Sequence, residues 1–450
     1  MSPTKLPFHK IVHHPSQPFL LLCYGNKFDI VSTDSGSIRA APQSRFGPTT
    51  SSPTTLSKTH PIPDHLFAKD DIRVAAFHTD RLVTGGDEKS LSIWNTDTWE
   101  VLDNSRQFVK RPNAVTFSKD GSYVLGGDKA GDVYSFHTHE TSEKRSLLLG
   151  HVSIILDLAL SPCGKYIITA DRDEKIRVTH YPHSYDIQSF CLGHNEFVST
   201  IAIPAWAPKT LLSGGGDPYL IAWNYVHGEQ LYTVDLRAPL ARADENMDAT
   251  ADLTVLAIRT CPKTHHIAVL IEKQKHVLIF DGKNAAAGIT LNTIIPIDVD
   301  ALDIVFDHSG HLWISKSPLN NPSGRLIDIA RCSAEGVLQA PVPDDPLTIK
   351  INRVSVHPTV ENEAELDLYP ISQHRKSIIS GLKQGRPKPP PVKRTRLADS
   401  LPGGSSGSPE RKKVSRGGQR ARAAKLVKQS QDQQHEPTEE ENDGVAEGDE

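Results

Sequence analysis

The sequence predicts an all-β protein, a seven-bladed β-propeller followed by a disordered charged C-terminal tail, and three observations carry that prediction. The dipeptide Gly150-His151 returns 43 residues later as Gly193-His194, and the thirty residues after each copy share one pattern. Both copies read as four short apolar strands separated by turn chemistry, as in Tyr166 to Asp173 and then Ile176 to His180, or Leu211 to Asp217 and then Tyr219 to Asn224. Finally, Trp94, Phe136, Thr179 and Trp223 fall 42, 43 and 44 residues apart, each ending a strand that follows a small-residue turn. A period of about 40 to 45 residues, with Gly-His near its start and a Trp near its end, is the signature of WD-type propeller blades.

Residues 6 to 39 hold two apolar runs, Phe19 to Cys23 and Phe28 to Val31, and form the first blade. Residues 6 to 14 are the candidate clasp, a strand expected to pair with the last blade and so remove the open sheet edge. Residues 40 to 68, with Pro42, Pro48, Pro53, Pro61 and Pro63 among Ser and Thr, read as a long disordered polar insertion. Four clear blades follow, marked by Thr84-Gly85-Gly86-Asp87, Gly126-Gly127-Asp128, Thr169-Ala170-Asp171 and Ser213-Gly214-Gly215. Residues 237 to 250 read as a loop rich in Ala and Asp. Weaker copies at 251 to 285 and at 291 to 332 bring the count to seven. The propeller is expected within residues 1 to 382 and the tail within 383 to 450.

The formal charge of −4 hides a segregation. Residues 383 to 428 carry 14 Lys or Arg against two acids, Asp399 and Glu410, whereas 432 to 450 carry nine acids and no Lys or Arg. The body up to 382 is left at −7 by the same count, a poor generic polyanion binder. Low hydrophobicity and high charge make the tail disordered, and its runs from Lys388 to Arg396 and from Arg411 to Lys425 read as nuclear-import signals. Five cysteines, none closer than 28 residues to the next, make neither a disulfide framework nor a CxxC metal pair. No stretch approaches the roughly 18 apolar residues of a membrane span. A soluble, intracellular protein without a membrane partner is expected.

Catalysis needs convergent groups, and the recognisable arrangements are missing: no phosphate-binding G-x-x-x-x-G-K-[ST] loop, no H-E-x-x-H zinc helix and no G-x-S-x-G nucleophile elbow. Gly126 to Gly131 is glycine-rich but lies in a blade turn with no helix behind it, so it reads as hairpin geometry. His13-His14 and His265-His266 cannot chelate one ion from a regular strand, because neighbours point to opposite faces. No catalytic residue, cofactor site or metal site is expected. His151 and His194 read as structural: in WD-type blades this histidine is buried against a turn aspartate, which the repeat frame places at Asp173 and Asp217, with Trp223 closing the second network.

The segment Asp171-Arg172-Asp173-Glu174-Lys175-Ile176-Arg177 puts six charged residues into seven positions, where ordinary blades use Ser, Gly and Thr. A solvated turn explains such charges equally well. The alternating signs favour a protein partner of complementary charge over an RNA phosphate track, because Asp171, Asp173 and Glu174 repel phosphates.

That string, with Thr169-Ala170 before it and Ser189-Phe190-Cys191-Leu192-Gly193-His194 and Glu196-Phe197-Val198-Ser199 after it, strongly resembles the non-catalytic WD-repeat subunit of eukaryotic tRNA (guanine-N(7)-)-methyltransferase. Gly127 to Tyr134 and Leu148 to His151 are similar to that family too. Specific matching covers about 125 to 225 and extends loosely to about 332. The resemblance implies that the propeller is not itself an enzyme. It implies a heterodimer with a separate, catalytic tRNA (guanine-N(7)-)-methyltransferase subunit that forms 7-methylguanosine in the tRNA variable loop from S-adenosylmethionine, and contact with tRNA through that complex. The partner interface then falls at or near Asp171, Arg172, Asp173, Glu174, Lys175 and Arg177, with Arg172 and Lys175 as the expected contacts. The competing class is a general scaffold such as a ubiquitin-ligase substrate receptor. Many of those carry W-D-x-R at a blade end, where this chain has Trp94-Asn95-Thr96-Asp97 and Trp223-Asn224-Tyr225-Val226.

Overall fold

The computed structural model describes residues 4–40, 71–139, 145–244, 252–354, 359–360, 366, 368 and 371–375. The insertion expected at 40 to 68 lies outside the described residues beyond Ala40, as do the charged tail and the domain boundary at 382.

Alternating apolar runs closed by tight turns fold as antiparallel hairpins, and seven successive sheets result. Six have four strands in simple up-and-down order, and the seventh has three. Blade 1 starts at Lys10–His13, blade 2 at Ile72–His78, blade 3 at Pro112–Phe117, blade 4 at Ile155–Leu160, blade 5 at Val198–Ala202, blade 6 at Val255–Thr260 and blade 7 at Ala301–Phe306. These innermost strands lie side by side around a ring, and the strand of blade 7 returns against that of blade 1.

The core is divided between the blade junctions, because each sheet is apolar on both faces. Seven buried clusters occur among the described residues, and each draws on two neighbouring blades. Between blades 4 and 5, Ile168, Val178 and Cys191 meet Leu211, Ile221 and Trp223. Polar bonds stitch the same junctions near the axis. Asn113 Nδ2 donates to Ile155 O at 2.8 Å, Asp157 accepts from Ile201 N at 2.8 Å, and Asp303 accepts from Ile11 N at 3.0 Å.

Three expectations are corrected. Residues 6 to 14 do not clasp the last blade: Lys10–His13 is the innermost strand of blade 1 and pairs with Phe19–Tyr24, Lys10 opposite Cys23. A hairpin partner a few residues away costs far less loop entropy than one at the far end of the chain. The ring closes instead through an ordinary junction, in which Phe8, Ile11 and Leu20 pack on Trp313, Ile327 and Ile329. Among the described residues blade 7 has three strands; its outer strand, Ile327–Ala330, is met by a helix, Pro346–Val354. The Asn352 amide of that helix accepts from Leu326 N and Ile327 N at 2.7 and 3.1 Å and donates to Ile327 O at 2.8 Å, satisfying groups a strand would otherwise pair.

The second correction concerns blade boundaries. Thr290–Pro296, expected to open the last copy, is the outer strand of blade 6, paired with His276–Asp281. Thirdly, the first half of the loop expected at 237 to 250 is a short helix, Arg237–Ala243, because Leu236 and Leu240 lie four residues apart and bury together under blade 6.

Candidate partner interface on blade 4

The Gly-His histidines are structural in their geometry. His194 Nδ1 lies 3.0 Å from both carboxylate oxygens of Asp217, its Nε2 lies 2.7 Å from Ser213 Oγ, and Trp223 Nε1 donates to the same hydroxyl at 2.7 Å. All four side chains are buried, so each polar atom is satisfied inside the blade. In blade 4 the carboxylate is not the one expected. His151 Nδ1 meets Asp171 at 2.9 Å, not Asp173, and Nε2 meets Thr169 Oγ1 at 2.8 Å. The spacing from histidine to aspartate is 20 residues in blade 4 and 23 in blade 5, so one repeat frame cannot serve both. Asp171 ends the strand Tyr166–Asp171 and is 2 % exposed, whereas Asp173 lies out in the turn.

The six charged residues therefore divide by task. Asp171 also accepts from the backbone N–H groups of Asp173 and Lys175, at 2.9 and 3.0 Å, and so holds the turn as well as the histidine. Arg177 crosses to blade 3: its Nη1 donates to Gly150 O and its Nε to Thr179 Oγ1, both at 3.0 Å, and burial lowers its guanidinium pKa. These two side chains are consumed by structure. Arg172, Asp173, Glu174 and Lys175 form the surface of the hairpin, with Lys175 the most exposed and its Nζ donating to Asp173 O at 3.1 Å. Glu174 sits at φ +70°, in the left-handed region where the matching turn of blade 3 uses Gly131 at φ +98°. The matching turn of blade 2 likewise carries a charged residue there, Lys89 at φ +66°.

Sequence reasoning missed the apolar half of this surface. Among the described residues twelve large hydrophobic residues are exposed, and six of them, Leu147, Val152, Tyr185, Ile187, Phe190 and Leu192, fall in the outer parts of blades 3 and 4. On the outer strand Ile187–Leu192 the exposures are 42 % for Ile187, 41 % for Phe190 and 61 % for Leu192. The ladder sets Phe190 opposite Arg177 and Leu192 opposite Lys175, so these four side chains share one face of the sheet. That Phe190 and Leu192 would stay uncovered is not legible in the sequence, where Phe190-Cys191-Leu192 is one continuous apolar run. Also unforeseen is a C-terminal contact: Arg172 Nε donates to His374 O at 3.0 Å.

An open cleft of about 950 Å³ runs between Lys119, Tyr123, Cys163 and Tyr181, but the carboxylate beside it, Asp120, accepts from Ser118 Oγ and Ser122 Oγ at 2.6 Å each. Those bonds hold its pKa down to about 2, which makes it a poor general base. Among the described residues no group of three or more His, Cys, Asp or Glu side chains is placed to hold a metal.

A closed WD-type ring with one flank of apolar and charged side chains is an interaction module. The chain belongs to the family of the tRNA methyltransferase TRM82 WD40 domain, whose model matches residues 72–146 and 137–325. The resemblance seen in the sequence is thereby borne out. Relatives include the tRNA (guanine-N(7)-)-methyltransferase non-catalytic subunit of Danio rerio, 38 % identical over 230 residues, which are 51 % of this chain and 55 % of the relative. The Homo sapiens subunit of that name is 36 % identical over 51 % of this chain and 55 % of its own length, and the Dictyostelium discoideum subunit 29 % identical over 66 % and 67 %. The chain thus spans about half the length of the first two of these relatives. Among solved structures, the WD40 repeats of RRP9 align with a TM-score of 0.55 at 16 % identity, over 70 % of this chain and 90 % of that one. U3-55K aligns at 0.54 and 15 %, over 70 % and 91 %. At such identities these likenesses concern the fold alone.

Proposed function

We propose that this chain is the non-catalytic WD-repeat subunit of a tRNA (guanine-N(7)-)-methyltransferase. It binds the separate S-adenosylmethionine-dependent subunit as a heterodimer and holds it in the state that forms 7-methylguanosine in the tRNA variable loop. The observation that carries the reading is the juxtaposition on blade 4 of the Arg172 to Lys175 hairpin with exposed Phe190 and Leu192. Apolar anchors beside alternating charge supply both affinity and register for a protein partner. The names of the relatives support the choice of partner. Rigid binding to one conformation of a catalytic subunit stabilises that conformation by linkage, so activation needs no catalytic group in the propeller. Contact with tRNA comes through the complex, and the basic runs of the tail direct it to the nucleus.

The test begins with deletion of the gene in its native host and measurement of 7-methylguanosine in total tRNA by nucleoside mass spectrometry. The nucleoside is expected to disappear and to return with the intact chain but not with Arg172→Glu. Reversing one interface charge costs about 2–5 kcal/mol, roughly a 30-fold or greater loss of affinity. Unchanged nucleoside levels would favour a general scaffold. Unchanged co-purification of the catalytic subunit with Arg172→Glu would sink the interface.

A further inference from the structure

Residues 371–375 lie apart from the blades in sequence but are fastened at both ends to one of them, blade 6. At one end Glu272, on the turn after the blade 6 strand His266–Ile271, accepts hydrogen bonds from the side chain and backbone of Ser372. At the other, Arg375 Nη2 donates to Leu253 O at 2.7 Å and to Thr254 Oγ1 at 3.1 Å, with Asp252 3.7 Å from its Nη1. Between these pins the His374 ring stands edge-on to Phe197 of blade 5, centroids 6.1 Å apart, and the His374 carbonyl accepts from Arg172 Nε. A five-residue strap thus has both ends pinned to blade 6 and, through His374 between them, reaches the hairpin singled out on blade 4.

What this does to Arg172 follows from guanidinium geometry. A free arginine side chain samples many rotamers, and binding a carboxylate requires most of that freedom to be surrendered. The strap takes Nε and no other nitrogen: among the described residues, the two terminal nitrogens of Arg172 meet no hydrogen-bond partner. Those terminal nitrogens form the fork that pairs bidentately with a carboxylate. The His374 ring also adds no positive charge beside the arginine. Desolvation and the neighbouring cations Lys129, Arg172 and Arg111 keep the His374 imidazole neutral.

We propose that residues 371–375 are a positioning element of the partner interface, holding Arg172 by its Nε so that the fork is presented, already oriented, to a carboxylate of the bound protein. The inference rests on the interface reading of the preceding section. It deepens that reading by naming the chemistry met by Arg172, an Asp or Glu side chain, and the part of this chain that prepares it.

The full-length chain and the purified catalytic subunit of the same host serve for the test, with binding measured by calorimetry. Arg375→Ala removes one of the two pins to blade 6 and is expected to raise Kd by about 3- to 10-fold, the worth of pre-ordering one long side chain. Arg172→Ala raises it further, and adding Arg375→Ala to Arg172→Ala costs nothing more, because the strap acts through the arginine. Amide hydrogen exchange shows the strap's state independently: residues 371–375 are expected to be protected in the parent chain and to exchange freely in Arg375→Ala. A second variant, with Ser372→Gly, His374→Gly and Arg375→Gly together, covers the case in which one pin suffices. Wild-type affinity with a freely exchanging strap, tighter binding, losses that add to that of Arg172→Ala, or protection that survives all three substitutions would each overturn the inference. Intact binding by Arg172→Glu would instead defeat the interface reading beneath it.

Discussion

Exchanging Asp171 and Asp173 for alanine, one at a time, separates a structural carboxylate from a surface one two residues away. Asp171→Ala deletes the acceptor 2.9 Å from His151 Nδ1, on a histidine side chain only 4 % exposed. A buried donor left without a partner costs about 1–3 kcal/mol. The same substitution frees the Asp173 and Lys175 amides, which sit in a surface turn where water replaces the carboxylate at about 0.5 kcal/mol each. The sum is about 3 kcal/mol, or a fall of about 6 °C in the thermal midpoint at roughly 2 °C per kcal/mol for a domain of this size. Asp173→Ala leaves the His151 network untouched and is expected to cost less than about 1 kcal/mol. Thermal unfolding and urea unfolding followed by tryptophan fluorescence, with the urea slope checked for constancy, measure both. Equal losses for the two variants, or an Asp171→Ala protein as stable as its parent, would refute the reasoning and restore the repeat frame's choice of Asp173.

The last blade and the strap supply two more predictions. Asn352→Ala strips Leu326 N, Ile327 N and Ile327 O of their partner and is expected to destabilise the ring by about 2 kcal/mol, with amide exchange accelerated first in Ile327–Ala330; an unchanged urea midpoint would mean that the helix does not substitute for the missing strand. His374 is held at a pKa of about 4, below its ordinary value of 6.5, by desolvation first and then by Lys129, Arg172 and Arg111, while Glu272, Arg375 and Asp252 face the rest of the strap. A depressed histidine pKa means that the docked strap is fully stabilised above pH 6.5 and loses that contribution as pH falls towards 4, an effect of about 1–2 kcal/mol after solvent screening. Titration of the His374 ring by NMR is the check, and a midpoint near 6.5 would show that the ring is not buried against Phe197.

Much of this molecule follows from local chemistry. Strand and turn signals recur every 42 to 44 residues from Trp94 to Trp223, and each blade satisfies its own backbone within that span, so the repeat alone determines an all-β ring. The Asp171 to Arg177 string marks blade 4 as unusual for the same reason: charge density is a property of the chain, whatever it packs against. The tertiary structure decided everything that depends on which groups meet. Asp171 rather than Asp173 serves His151 because blade 4 takes the carboxylate from the last residue of its strand, Tyr166–Asp171, whereas in blade 5 Asp217 lies two residues beyond Thr210–Gly215. Lys10–His13 stays in blade 1, and a helix rather than a strand finishes blade 7, because pairing is settled by competition between near and distant partners. Arg177 is spent on Gly150 while Arg172 keeps its fork, although the two residues look alike in sequence. The reach of His374 to Arg172 joins positions 202 residues apart along the chain, and only the closed ring brings them together.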